Sequence, residues 1–98
     1  MNMKMVMLVY NEAIEEEVME AAKRCGLVNY TKLIQAHGKG TTSGTHEGTD
    51  VWSGLNNVAL FACPAESVAR ILACIRELRL KLGKEGVKAF AWPLDEVT

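Results

Sequence analysis

The sequence lacks a long apolar run and an excess of basic charge. No stretch approaches the roughly 18 consecutive apolar residues that a membrane-spanning helix needs. Lys and Arg number 11 against 12 Asp and Glu, so the net charge is −1. A protein that binds nucleic acid through its phosphates would need a basic surface. We therefore expect neither a membrane span nor a nucleic-acid partner.

Cysteine is scarce and is not arranged as a framework. The three cysteines, Cys25, Cys63 and Cys74, are far apart in sequence and form no C-x-x-C pair. Because disulfide-stabilised domains carry many closely spaced cysteines, this pattern predicts buried free thiols and no disulfide. The start of the chain has no cleavage site typical of a signal peptide. Both observations favour a protein of the reducing cytoplasm.

Length and composition indicate one folded domain over residues 1–98. The chain has 98 residues, of which 49% are apolar and 23% charged, close to the average for globular proteins. The spacing of its polar residues matches no paired-carboxylate, nucleophile-plus-base or zinc template. We therefore expect a protein that is not an enzyme.

The first half of the chain predicts a strand, a helix and a second strand. An apolar run at residues 4–10 is typical of a buried strand, and Asn11 after it is a good helix N-cap. Gly26 is a typical helix stop, and residues 27–36 have the mixed composition of a half-buried strand. The helix between them has apolar residues at spacings of three and four, namely Ile14, Val18, Ala21, Ala22 and Cys25.

The second half of the chain repeats this order with the strand first. Residues 58–63 predict a buried strand, and Pro64 and Gly83 mark the two ends of an amphipathic helix. Residues 87–92 predict a last strand that Pro93 stops. The order βαββαβ is the α+β, ferredoxin-like arrangement, an antiparallel four-stranded sheet with both helices on one face. The strands are apolar on both faces, so the open face should pack against other copies of the chain.

Residues 38–54 differ in kind from the rest of the chain. They contain five of the eight glycines and only two clearly apolar residues, Val51 and Trp52. Loops of this length are uncommon in compact domains and tend to be functional, although a plain hairpin connection is also open. The glycines include Gly38 and Gly40, which would let backbone N–H groups turn toward an anion, and Lys39 between them could supply a charge-assisted contact.

Two short stretches resemble the PII signal-transduction proteins and their PII-like relatives. Residues 36–40 (AHGKG) are similar to the base of that family's flexible T-loop, and residues 88–90 (KAF) to the stretch after its second glycine loop. The resemblance implies a homotrimer with its sheets facing inward and clefts between subunits that bind an adenine nucleotide or another small effector. The ligand-binding positions it implies are His37, Gly38, Lys39, Gly40, Asn57, Gly86 and Lys88.

The resemblance also implies that residues 38–54 act as a T-loop that contacts a partner, such as a membrane transporter or a metabolic enzyme. Thr45, Glu47 and Trp52 are the partner-binding candidates. The segment contains no Tyr for the family's tyrosine modification, and Asn57 stands where the family has a phosphate-contacting lysine. These departures from the family pattern favour a divergent member over a classical sensor of ATP and 2-oxoglutarate.

A metal-responsive protein is the alternative interpretation. His46 lies among loop residues that include Glu47 and Asp50, and imidazole and carboxylate groups can bind a divalent cation. PII-like relatives include cation-tolerance proteins, so a role in metal homeostasis stays open. The spacing matches no known metal motif.

Overall fold

The structure, a computed structural model, describes residues 2–37, 55–83 and 86–98. Short 3-10 turns at Glu12–Ile14 and Ala65–Ser67 lead into the two helices. The strands and helices, in chain order, are β1 Met3–Asn11, α1 Glu15–Arg24, β2 Thr31–Ala36, β3 Asn56–Pro64, α2 Val68–Leu82 and β4 Lys88–Leu94. The predicted βαββαβ order is confirmed.

The four strands form one antiparallel sheet in the order β2-β3-β1-β4. Strand β1 lies at its centre, with Leu8 opposite Ala59 of β3 and Ala89 of β4. Alternate residues of β1 face the helices, and Val6 and Leu8 have no exposed surface. They pack with apolar side chains of both helices, such as Val18 and Ile71. The predicted ferredoxin-like layering of two helices on one sheet face is confirmed.

The opposite sheet face carries apolar side chains that stay partly or largely exposed. Met5 of β1 lies opposite Trp92 of β4, and Met7 lies opposite Phe90. Trp92 and Phe90 are 40% and 47% exposed, and Leu33 of β2 is 54% exposed. Large side chains at this exposure form a surface suited to burial against another protein surface. The expected apolar open face is therefore present.

The end of α1 differs from the prediction for the following strand. The N–H of Gly26 donates to the carbonyl of Lys23 at 3.0 Å, and the N–H of Leu27 donates to that of Ala22 at 2.8 Å. This pair of bonds is the Schellman helix ending, and it uses the positive φ of +96° at Gly26. Leu27 is therefore buried as part of the helix ending, and β2 begins only at Thr31.

Pro93 does not stop the last strand, contrary to the prediction. Strand β4 continues to Leu94, with Pro93 opposite Lys4 of β1. Because β4 is at the edge of the sheet, a residue without an N–H is tolerated on its unpaired side. Pro64 likewise ends β3 and does not begin the second helix.

The prediction of three free thiols is wrong for two of them. Cys25, at the end of α1, forms a disulfide with Cys74 of α2, and their Cα atoms are 5.9 Å apart. The sequence separation of 49 hid this proximity, because the fold places both helices side by side on one sheet face. Cys63 is the buried free thiol that was expected. The disulfide removes the cysteine argument for the cytoplasm, so that location stays a prediction.

Within the described ranges, neither helix is long and apolar enough to cross a membrane.

Candidate functional site

One end of the sheet brings together four chain segments. Strands β1 and β2 end there at Asn11 and Ala36, and β3 and β4 begin there at Asn56 and Lys88. The pairing registers place Val9 between Val58 and Lys88 in one row across three strands. His37, Gly86 and Asn57 lie at or next to these strand ends. Residues 38–54 connect two of them, so this end is the candidate site.

Seven of the predicted site residues lie outside the described residues. They are Gly38, Lys39, Gly40, Thr45, His46, Glu47 and Trp52. The predicted boundaries of a T-loop-like segment at 38–54 also stay a prediction. Among the described residues, no group of three or more His, Cys, Asp or Glu side chains is placed to hold a metal ion.

Lys88 and Gly86 lie on the β4 side of this end. Lys88 is exposed, and its register with Val9 puts it on the open face of the sheet. Val87 beside it is completely buried and fixes the start of the strand. A Cβ on Gly86 would lie 3.3 Å from both Arg79 Cγ and the Gly83 carbonyl oxygen. Glycine therefore lets this turn pass close to the end of α2.

Asn57 lies on the other face of the sheet, turned toward the helices. It pairs with Tyr10 and is only 5% exposed. Its Nδ2 donates to Glu15 Oε1 at 2.8 Å, and its Oδ1 accepts from the Gln35 N–H at 3.1 Å. The structure therefore separates the Asn57 side chain from Lys88, and its ligand-binding role stays a prediction.

Glu15, the first residue of α1, is the centre of a hydrogen-bonded group that we call the Glu15 cluster. Its members are Tyr10, Glu15, Lys32, Gln35 and Asn57. Tyr10 donates its hydroxyl to Glu15 Oε1 at 2.6 Å, and Lys32 Nζ forms an ion pair with Oε2. Among the described residues, no buried side-chain nitrogen or oxygen lacks a partner. Both oxygens of the Glu15 carboxylate, whose side chain is 28% exposed, thus have hydrogen-bond donors within the cluster.

The electrostatics of the Glu15 cluster favour the charged carboxylate. Burial by itself raises the pKa of Glu15, but hydrogen bonds from Lys32, Tyr10 and Asn57 outweigh it and lower the pKa below its ordinary value. The hydrogen bond to Glu15 raises the pKa of Lys32. Burial, followed by the hydrogen bond to Glu15, raises the pKa of Tyr10. At neutral pH the cluster therefore holds one carboxylate, one ammonium and a neutral phenol.

The sequence reasoning missed Tyr10, Glu15, Lys32 and Gln35. Glu15 stands in an acidic run in the first turn of α1, where a negative charge suits the positive end of the helix dipole, and this run does not single it out. Asn11, predicted as the helix N-cap, caps the 3-10 turn that leads into α1, and its Oδ1 accepts the Ala13 N–H at 2.8 Å. Lys32 itself lies opposite Ala59, a buried residue on the helix side of the sheet, so its charge needs a partner there.

The fold agrees with the comparison to known families. The sequence model of the family "Nitrogen regulatory protein P-II" matches residues 3–98. The chain belongs to the P-II family. The predicted resemblance to PII-like proteins is therefore confirmed, while no curated protein matches the chain.

Solved structures of P-II-like proteins share the fold at low sequence identity. A PII-like signaling protein from Thermus thermophilus is 24% identical, with a TM-score of 0.67 over 95% of this chain and 86% of that one. CPII from Thiomonas intermedia, bound to ADP, AMP and acetate, is 17% identical, with a TM-score of 0.70 over the same shares. Bacillus subtilis GlnK in complex with ATP is 13% identical, with a TM-score of 0.66 over 95% and 82%.

Proposed function

We propose that this P-II family member is a homotrimeric, non-catalytic signalling protein that binds an adenine nucleotide. The nucleotide would bind in the clefts between subunits, and residues 38–54 would report its presence to a partner. The observation that carries the proposal is the convergence at one sheet end of the described residues that flank 38–54, of Gly86 and of the exposed Lys88.

The apolar open face of the sheet supports the trimer. Two adjacent cross-strand pairs lie on this face, Met5 with Trp92 and Met7 with Phe90. Burying such side chains contributes about 25 cal/mol for each Å² removed from water. Packing this face against other copies would bury the pairs and bring the strand ends that carry Lys88 near a neighbouring subunit.

The polar groups at the strand end support an anionic ligand. Lys88 is exposed and can make a charge-assisted contact to a phosphate. His37 is also exposed and immediately precedes the predicted anion site of Gly38, Lys39 and Gly40. The CPII and GlnK structures were solved with ADP, AMP or ATP, which makes an adenine nucleotide the first ligand to test.

The partner would be a membrane transporter or a metabolic enzyme contacted by Thr45, Glu47 and Trp52. Aromatic residues dominate the energetics of protein interfaces, so Trp52 is the residue whose loss should weaken the complex most. A pull-down with immobilised wild-type chain, repeated with Trp52→Ala, identifies the partner and tests this assignment.

The nucleotide proposal is tested by thermal unfolding and calorimetric titration of the intact chain with AMP, ADP and ATP. A nucleotide present at 100 times its dissociation constant should stabilise the protein by about 2.7 kcal/mol. Lys88→Ala should reduce the stabilisation, whereas Lys81→Ala, an exposed lysine of α2, should not. If none of the three nucleotides binds, the proposal of an adenine-nucleotide ligand is wrong. If light scattering shows a monomer, the proposal of binding clefts between subunits is wrong.

A zinc titration in the same assay tests the metal-responsive alternative. Stabilisation by zinc alone, lost in His46→Ala, would favour that alternative over a nucleotide sensor. No observation on the described residues favours it, and we do not propose it.

A further inference from the structure

We propose that Asn57 and Glu15 are positioning residues that fix the backbone where the chain enters residues 38–54. This inference rests on the proposed function, because the backbone that the Glu15 cluster holds in place leads into the segment proposed to take part in nucleotide sensing. The two residues act through Gln35, which lies three positions before Gly38. Neither residue needs to touch the nucleotide itself.

Gln35 has an unusual backbone conformation. Its φ is +59°, a left-handed value that side-chain-bearing residues adopt infrequently. The pairing of β2 with β3 also changes register between Leu33 and Ala36, so an irregularity lies at this point of the strand. Such conformations persist when surrounding contacts determine them. The Gln35 N–H is held by the side chain of Asn57.

The Asn57 side chain is itself held in one orientation. Its Nδ2 donates to Glu15 Oε1 at 2.8 Å, which leaves Oδ1 directed at the Gln35 N–H at 3.1 Å. Because Asn57 is 5% exposed, water has little access to replace either bond. One buried carboxamide therefore links the start of helix α1 to the irregular end of β2.

Glu15 is held from two further directions. Tyr10, near the end of β1, donates to the same oxygen as Asn57, and Lys32 pairs with the other oxygen. Lys32 also lies on β2, three residues before Gln35, and its Nζ is 5.7 Å from the centre of the Tyr30 ring. The cluster thus joins β1, α1, β2 and β3 at the strand end from which residues 38–54 depart.

Hydrogen exchange at Gln35 in the apo chain tests the positioning role directly. In Asn57→Ala, the Gln35 amide should exchange about tenfold faster or more. The hydrogen bond from the Gln35 N–H to the Asn57 side chain is then absent, so the amide is no longer protected by it. Asn56→Ala is the matched control: it removes the same side chain one residue earlier on β3, and Gln35 exchange should be unchanged. Equal exchange in the two variants would overturn the proposal.

A donor–acceptor swap separates positioning from general destabilisation. Asn57→Asp alone places two carboxylates together and should accelerate Gln35 exchange. The double variant Glu15→Gln/Asn57→Asp restores a donor facing an acceptor and should slow the exchange again. If Asn57→Ala does not fold, Tyr10→Phe and Lys32→Met decide the matter, since each removes one support of Glu15. Unchanged Gln35 exchange in both would overturn the proposal.

The functional half is tested by ADP titration of the same variants. Asn57→Ala should weaken ADP binding by about fivefold or more, while Asn56→Ala should not. If wild type binds ADP and Asn57→Ala binds it equally well, the positioning role is overturned while the nucleotide function stands. If wild type binds no nucleotide, the proposed function fails, and the Gln35 exchange still reports on the cluster.

Discussion

The two ends of helix α1 are fixed by different kinds of interaction. At its start, Glu15 is held by side-chain hydrogen bonds and an ion pair within the Glu15 cluster. At its end, Cys25 is joined to Cys74 by a disulfide, and the Cys25 carbonyl accepts a hydrogen bond from Arg70 at 3.2 Å. One end depends on protonation states, whereas the other is covalent.

The difference follows the position of each end relative to residues 38–54. The Glu15 cluster lies at the strand end where this segment departs, and its bonds can break and form again without covalent chemistry. The disulfide holds the helix layer together at the opposite end of α1. The start of α1 is therefore held by reversible contacts and its end by a covalent bond.

Removing the disulfide should have the largest effect on stability. In the chain-entropy account, a cross-link that closes a loop of this length stabilises the folded state by about 4 kcal/mol. Cys25→Ser/Cys74→Ser should therefore lose up to this amount in denaturant unfolding, measured at equal protomer concentration. Dithiothreitol should lower the free energy of unfolding of the wild type by about the same amount, whereas it should not change that of the double variant. An identical wild-type curve with and without reductant would contradict the cross-link.

Tyr10→Phe should have the next largest effect, and the effect should depend on pH. At neutral pH it removes a hydrogen bond to a charged carboxylate, which costs about 2 kcal/mol. The folded-state pKa of Tyr10 is raised above its ordinary value of 10.0, so its contribution is complete below pH 10 and is lost as the pH rises further. The difference between wild type and Tyr10→Phe should therefore narrow above pH 10.

The Glu15 carboxylate gives the acidic counterpart of this curve. Its pKa is lowered in the folded state, so its contribution is complete above the ordinary value of 4.5 and is lost as the pH falls through the folded value. Wild type should lose stability on acidification more steeply than Glu15→Gln. Parallel curves for the two proteins would show that the cluster does not hold a charged carboxylate.

Arg70→Ala should have a smaller effect at the covalent end of α1. Arg70 of α2 donates a hydrogen bond to the Cys25 carbonyl at the C-terminal end of α1, where the helix dipole favours a cation. Loss of this bond should lower the free energy of unfolding by about 1 kcal/mol. Arg76→Ala, an exposed arginine of the same helix α2, controls for the change in helix propensity. Unfolding in urea compares the two variants, and an equal loss in both would assign no role to the Arg70 bond.

The sequence predicted the features that depend on local chemistry. The apolar run of β1, the Asn11 cap and the Gly26 and Gly83 helix ends were all identified correctly, because each depends on residues within a few positions of one another. The apolar open face followed from the same strand patterns. These features are enough to give the element order and the ferredoxin-like layering.

The missed features are long-range contacts. Cys25 and Cys74 are 49 residues apart, and Glu15 and Asn57 are 42 apart, so neither pair has a pattern within one element. Asn57 was predicted as a ligand contact on the resemblance alone, and only the register with Tyr10 shows that it faces the helices. The late start of β2 depended on a hydrogen bond from Leu27 to Ala22, which apolar spacing does not reveal.

The smallest effect is expected from the ion pair between Glu20 and Arg24, which lies on the surface of the C-terminal half of α1. The pair is 3.8 Å apart, and its side chains are 78% and 65% exposed. A double-mutant cycle with Glu20→Gln and Arg24→Gln should give a coupling of about 0.3 kcal/mol that disappears in roughly 1 M salt, as is typical of exposed pairs. The same cycle on Glu15→Gln and Lys32→Met should give a larger coupling that persists in salt, because those side chains are only 28% and 25% exposed. Equal couplings would mean that the Glu15 cluster holds the helix no more firmly than a surface ion pair does.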